Sequence, residues 1–115
     1  MAEWGDLASP RLVVLGTKNW SKISIMYYVY IIYSQALDKI YKGFTGNLKN
    51  RFAEHNAGKV KTTKNDSPWK LIYYEAFMNK TDAMREELFL KSGKGKERIK
   101  FLLKETHKIS KNKKA

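Results

Sequence analysis

Four tyrosines crowd the stretch YVYIIYSQALDKIYKGFT at residues 28–45, and three side chains suited to handling a phosphate follow it: Arg51, His55 and Glu87. Arg51 and His55 stand four apart, so on a helix they share one face. A guanidinium can grip a phosphate through two parallel hydrogen bonds, and an imidazole one turn on can orient or exchange a proton near neutral pH. Glu87 falls four after Ala83 and three before Leu90, inside or at the edge of the stripe that should look inward, with Met84 and Leu88 forming a second apolar line. A carboxylate there costs energy unless something pairs with it, such as a cation, an arginine or a metal. A hard divalent cation that keeps its waters needs only one or two carboxylates, so one glutamate is chemically sufficient. From the residues alone the ordinary explanations come first: a solvated arginine, a histidine near a helix end, a glutamate reaching from the helix edge to water. The tyrosines pose the same choice between an aromatic hairpin and chemistry.

Two other strings carry less. SGKGK lacks the full G-x-x-x-x-G-K-[ST] pattern and no parallel strand precedes it, so a flexible basic turn is expected there. His55 and His107 have no ligand spacing with acidic residues, which argues against a zinc site, and the absence of cysteine excludes disulfides and thiolate chemistry.

These side chains must be positioned by a small fold. The run from Tyr27 to Tyr33 is β-branched and aromatic, SQALD is a polar break, and KIYKGFT completes a hairpin. Asn47 can cap a helix through LKNRFAEHNA, and Gly58 offers a left-handed stop. A basic loop, KVKTTKNDSP, leads to a third strand, WKLIYYEAF. Thr81 can cap the next helix, DAMREELFLK, and KERIKFLLKE reads as a last amphipathic helix. The order β-β-α-β-α-α predicts an α+β domain in which helices cover a small three-stranded antiparallel sheet.

The 115 residues suffice for one core and not for two. Residues 1–25 show no sustained periodicity and read as an N-terminal extension, with Met26 a candidate native start; 26–103 form the domain and 104–115 a basic C-terminal tail. Ile25 to Tyr33, the longest apolar run, is too short to span a membrane, and no segment resembles an export signal, so the cytoplasm is the expected location. Net charge is +12, and the excess lies in the domain as well as the tail. Such a surface attracts polyanions by counterion release and long-range steering, which makes nucleic acid the leading partner class.

Taken in order, these motifs resemble the GIY-YIG nuclease superfamily, in particular small single-domain bacterial members related to the nuclease domain of the UvrC repair protein. The likeness covers residues 27 to about 103. Its first signature aligns with YVY at Tyr28, Val29 and Tyr30, and its second with YKG at Tyr41, Lys42 and Gly43. GFTGNLKNRFAEHNAGK, SPWKLIYYE and AMREELFLK are similar to the helix, strand and helix that follow. The resemblance implies metal-dependent phosphodiester hydrolysis in DNA, or in RNA. Glu87 would hold one divalent cation, Mg²⁺ or Mn²⁺, and Arg51 would grip the scissile phosphate. Tyr30 would act as base toward a water, Tyr41 would position that water or share the role, and His55 would orient or help deprotonate a tyrosine. Lys42, Lys59, Lys61, Lys64, Lys91 and Lys94 would line the nucleic acid. Alternation puts Tyr30 on the face of Tyr28, away from Tyr33, and at Gly43 the missing side chain would let a phosphate approach closely.

The chain departs from the family pattern at several points. Tyr28 stands for the signature glycine, Lys42 for an apolar residue, Phe44 for a lysine of the repair-nuclease branch, and Glu86 for a frequent basic neighbour of the metal-binding glutamate, adding repulsion beside Glu87. Two further readings compete with a nuclease: a basic binding module of the same fold without turnover, and an adaptor whose protein partner supplies specificity.

Overall fold

The computed structural model describes residues 25–106; apart from Ile25 the expected N-terminal extension lies outside the described residues, as does the tail beyond Thr106. Three antiparallel strands form one sheet in the order β2-β1-β3: β1 (Tyr27–Ser34), β2 (Lys39–Thr45) and β3 (Trp69–Phe77). Three helices complete the expected order: α1 (Leu48–Asn56), α2 (Lys80–Leu90) and α3 (Gly93–Leu102).

The continuous apolar run of β1 takes the central position, where both faces are covered, and residues 28–34 are all buried. On one face Val29 and Ile31 pack with Ala83 and Leu90 of α2 and with Ile99 and Leu103. On the other, Tyr28, Tyr30 and Ile32 pack with Leu48 of α1 and Trp69, joined by Phe52 and Tyr41. A sheet covered by helices is therefore realised with α1 alone on one side and α2 with α3 on the other.

Local signals set most of the boundaries. Asn47 caps α1 by accepting from the Asn50 N–H at 3.1 Å, and Gly58 takes the left-handed conformation (φ +76°) just beyond the helix. At α2 the cap is Asn79 and not Thr81: its Oδ1 accepts from the N–H groups of both Thr81 and Asp82, at 2.8 and 3.2 Å, so Thr81 lies within the first turn. The expected flexible basic turn at SGKGK is helical. Ser92 caps α3 through a bond from the Gly95 N–H, and a Cβ at Gly95 would come within 1.9 Å of the Phe89 carbonyl oxygen, so only glycine allows α2 and α3 to meet so closely.

The inward stripe of α2 is narrower than the sequence suggests. Ala83 and Leu90 are fully buried, whereas Met84 and Leu88 are 44% and 66% exposed. The small Ala83 seats the helix against the sheet, and Glu86 and Glu87 flank that line half-buried.

Candidate active site

The site grows from the central strand. Tyr30, 1% exposed, points from β1 toward α1, and in register with it on β2 stands Gly43. A Cβ at 43 would lie 2.3 Å from the Tyr30 Oη and 2.4 Å from Cζ. The space expected to admit a phosphate at Gly43 is thus filled by the Tyr30 phenol itself, and the glycine is what allows that side chain to lie flat across β2.

α1 brings His55 to the phenol. Leu48, Phe52 and His55 follow the spacing of one buried face, so the imidazole enters the core with the apolar residues and is 0% exposed. Its Nε2 lies 2.7 Å from the Tyr30 Oη, and its Nδ1 lies 2.7 Å from the Thr63 Oγ1. Thr63, 1% exposed, has the Val60 carbonyl as acceptor for its own hydroxyl at 3.5 Å. All three groups are satisfied when His55 carries its proton on Nδ1 and donates to Thr63, leaving Nε2 to accept from the Tyr30 O–H. Trp69 closes this pocket: its indole N–H donates to the Thr63 carbonyl at 3.1 Å, and Asn56 at the end of α1 bonds the Trp69 backbone through both its amide atoms. The Tyr41 ring leans edge-on against His55 at 5.1 Å and reaches Tyr30 at 6.5 Å and Trp69 at 6.4 Å.

Burial dictates the protonation of this group. It pushes the Tyr30 phenol up to about 12, against the pull of the Arg51 guanidinium nearby. It pushes the His55 imidazolium down to about 4, and Arg51 adds to that effect. Phenol and imidazole are therefore both neutral at rest. Arg51 itself is half-buried and donates from Nη1 to the Glu54 Oε1 at 3.0 Å, a solvent-accessible pair of the weak kind that an incoming anion can replace.

Glu87 comes from the opposite layer, on α2. Its side chain is 20% exposed, its charge acts on the Tyr30 phenol, and its Oε2 accepts from the Lys91 ammonium at 3.0 Å. Glu86 does not crowd it. Glu86 pairs instead with Arg98 at 3.5 Å, which also reaches Glu75 at 3.6 Å, and burial together with Glu75 raises the Glu86 carboxyl. Lys42 stands opposite Ile31 on the face of the sheet covered by α2 and α3, half-buried, and burial together with the charges of Lys96 and Lys91 lowers its ammonium. The remaining lysines expected to meet nucleic acid, Lys59, Lys61, Lys64 and Lys94, are all exposed. The structure thus brings Tyr30, Tyr41, Arg51 and His55 into one cluster, with Glu87 reaching its edge electrostatically and Lys42 grouped with Lys91.

The pattern described as the GIY-YIG catalytic domain matches residues 26–114. The chain belongs to the GIY-YIG family, a nuclease superfamily. Relatives include a UPF0213 protein of Pediococcus acidilactici, 40% identical over 79 residues, spanning 66% of this chain and 80% of that protein. A UPF0213 protein of Limosilactobacillus reuteri is 40% identical over 80 residues, with coverage of 67% and 82%. A solution NMR structure of a UPF0213 protein from Bacillus halodurans is similar with a TM-score of 0.44 and 33% identity, covering 68% of this chain and 85% of that one.

In this GIY-YIG chain no group of three or more His, Asp and Glu side chains among the described residues is arranged to hold a metal ion. The donor set still fits a hard cation that retains most of its waters, because one half-buried carboxylate is present and a cationic group, the Lys91 ammonium, already stands against it. No helix among the described residues is long and apolar enough to cross a membrane.

Sequence reasoning missed three members of the site: Thr63, Glu54 and Lys96. Thr63 lies in a lysine-rich loop, where the one usable signal is a threonine eight residues past a helical histidine. Glu54 follows Arg51 by three and was readable as a helix pair.

Proposed function

We propose that this protein is a metal-dependent endonuclease that hydrolyses phosphodiester bonds in DNA. The observation that carries this reading is the buried chain from Thr63 through His55 to Tyr30, with the Arg51 guanidinium acting on the Tyr30 phenol. An aromatic core has no need of a neutral imidazole held in one tautomer against a phenol.

The magnitudes decide how Tyr30 can work. With the phenol near 12 and the imidazolium near 4, a resting tyrosinate–imidazolium pair lies on the order of 10 kcal/mol above the neutral pair before their mutual attraction. The free protein therefore holds no preformed tyrosinate. The Tyr30 Oη instead takes a proton from the attacking water as it passes its own proton to the His55 Nε2. The water oxygen forms a bond to phosphorus, the bond from phosphorus to the leaving sugar oxygen breaks, and that oxygen takes a proton from solvent. Charge developing on the phosphate raises the basicity of His55 at the moment it must accept. Arg51 exchanges Glu54 for two phosphate oxygens, and Tyr41 narrows the approach of the water. Thr63 holds His55 in the accepting tautomer. Glu87 would hold one Mg²⁺ or Mn²⁺ ion, releasing Lys91 to the nucleic acid; that ion supplies stabilisation of negative charge on the phosphate and leaving oxygen. Lys42, Lys91 and Lys96 supply phosphate contacts around the edge of β2.

Incubation of the full chain with branched, nicked, single-stranded and duplex DNA, with Mg²⁺, Mn²⁺ or a chelator, tests this reading. Metal-dependent cleavage that is lost in Glu87→Ala supports it. Binding of every substrate with cleavage of none overturns it in favour of a binding module.

A further inference from the structure

Asn56, the last residue of α1, immediately follows His55 and bonds the backbone of Trp69, the first residue of β3, through both ends of its amide. Its Oδ1 accepts from the Trp69 N–H, and its Nδ2 donates to the Trp69 carbonyl at 3.0 Å. β3 is an edge strand paired with β1, so the side-chain amide takes the donor and the acceptor that a further strand would otherwise take. The Trp69 indole, buried with the rest of that residue, reaches the Thr63 carbonyl at 3.1 Å, and Thr63 meets the His55 Nδ1 at 2.7 Å. His55, Thr63, Trp69 and Asn56 thus form a closed circuit that leaves α1 at one residue and returns to it at the next.

From this circuit we infer that Asn56 and the Trp69 indole are positioning residues for His55: they fix Thr63 against the imidazole, so that Nδ1 keeps its proton and Nε2 stays open to the Tyr30 hydroxyl. The loop between α1 and β3 contains no helix or strand, so its inward threonine is placed by such ties. Ser34 and Lys39 hold the loop to the hairpin at Asp66, at 2.8 and 2.7 Å, and the indole holds it at Thr63. Asn56 then fastens the strand that carries the indole to the same turn of α1 that carries His55. The tautomer depends on this placement. In the opposite one the Thr63 hydroxyl would donate to Nδ1 and release its bond to the Val60 carbonyl, which at 3.5 Å is long and readily given up. A displaced loop therefore changes which nitrogen carries the proton. The kinetic consequence rests on the hydrolysis proposed above, because a ring protonated on Nε2 cannot take the Tyr30 proton; the positioning itself does not.

The test compares the full chain with Asn56→Ala and Trp69→Phe, by ¹⁵N NMR of the His55 ring and by the kinetics of cleavage of nicked or branched DNA in Mg²⁺. The expected result is an Nδ1–H ring in the wild type and a mixture of tautomers in both variants. kcat should fall in proportion to the surviving Nδ1–H population, roughly tenfold where about one ring in ten retains it, with KM unchanged. Trp69→Phe keeps an aromatic ring in the pocket and carries the test by itself should Asn56→Ala not fold. Ile99→Val, which thins the core on the other face of the sheet, should lower Tm and leave tautomer and kcat as in the wild type. An Nδ1–H ring unchanged in the folded variants, the same change of tautomer in Ile99→Val, or a raised KM with kcat unchanged would each overturn the inference. The ring is read in the free protein, so a wild type that cleaves no DNA counts against the hydrolysis alone, and the tautomers still decide the positioning.

Discussion

The Tyr30 hydroxyl lies 2.7 Å from the His55 Nε2, with both side chains excluded from solvent, one on the central strand and the other on the helix that covers it. The contact joins residues 25 apart in sequence, and three things make it possible: a glycine on the neighbouring strand, a helix face that admits a histidine among its apolar residues, and a threonine behind the imidazole. Each of the three can be altered alone.

Gly43→Ala places a methyl group within 2.3 Å of the Tyr30 Oη. The phenol must move or the strands must part, so stability falls by about 1–3 kcal/mol and the Tyr30–His55 bond is lost. Chemical denaturation measures the first effect. Combining Gly43→Ala with Tyr30→Phe should cost clearly less than the sum of the single changes, since both act on one contact; strict additivity would argue against the contact.

Thr63→Val keeps the shape of the loop residue and removes the acceptor for the His55 Nδ1–H. Leaving that buried donor unpaired costs about 1–3 kcal/mol. Thr63→Ser should retain most of the stability. ¹⁵N shifts of the ring should show the Nδ1–H tautomer in the wild type and a mixture in Thr63→Val, whereas an Nε2–H ring in the wild type would reverse the assigned direction of the Tyr30 bond.

His55 also gives stability a pH dependence of known sign. In the unfolded chain the imidazole titrates near 6.5, and in the folded protein burial lowers it to about 4. The unfolded state therefore binds the extra proton in that window, so the contribution is fully present above about pH 6.5 and is lost as the pH falls toward 4, by on the order of 3 kcal/mol. Thermal melts of wild type and His55→Gln across that range isolate the effect as the difference between two profiles. Parallel profiles would contradict it.

Glu86 offers the opposite case. Burial and Glu75 raise its carboxyl, so its ionised form is disfavoured by folding, and the associated stability is greatest at low pH and declines as the pH rises through the ordinary glutamate value toward the raised one. Glu86→Gln should thus hold or raise Tm at neutral pH, with no loss at low pH. A large drop at neutral pH would mean that Arg98 depends on both carboxylates.

Much of this architecture was legible in the residues. The aromatic run of β1, the polar break, the Asn47 cap, the Gly58 stop and the third strand at Trp69–Phe77 all announce themselves through local chemistry. What escaped reading was set by tertiary contact. Asn79 displaces Thr81 as cap because its Oδ1 accepts from the Thr81 and Asp82 amides at once. Met84 and Leu88 look inward by periodicity, yet Ala83 is what meets the sheet. SGKG reads as a breaker until Gly95 is found against the Phe89 carbonyl, where any side chain would clash. Gly43 shows the same limit within the site: the sequence marks a place where something must come close, and only the packed structure shows that it is Tyr30.

The most direct test of the central claim is single-turnover cleavage of a labelled nicked or branched duplex in Mg²⁺ by the wild type and by Tyr30→Phe, which removes one oxygen and leaves the ring in place. Loss of a general base predicts a fall in rate of about 10²–10⁴-fold with substrate affinity little changed. Equal cleavage rates for the two proteins would contradict the account.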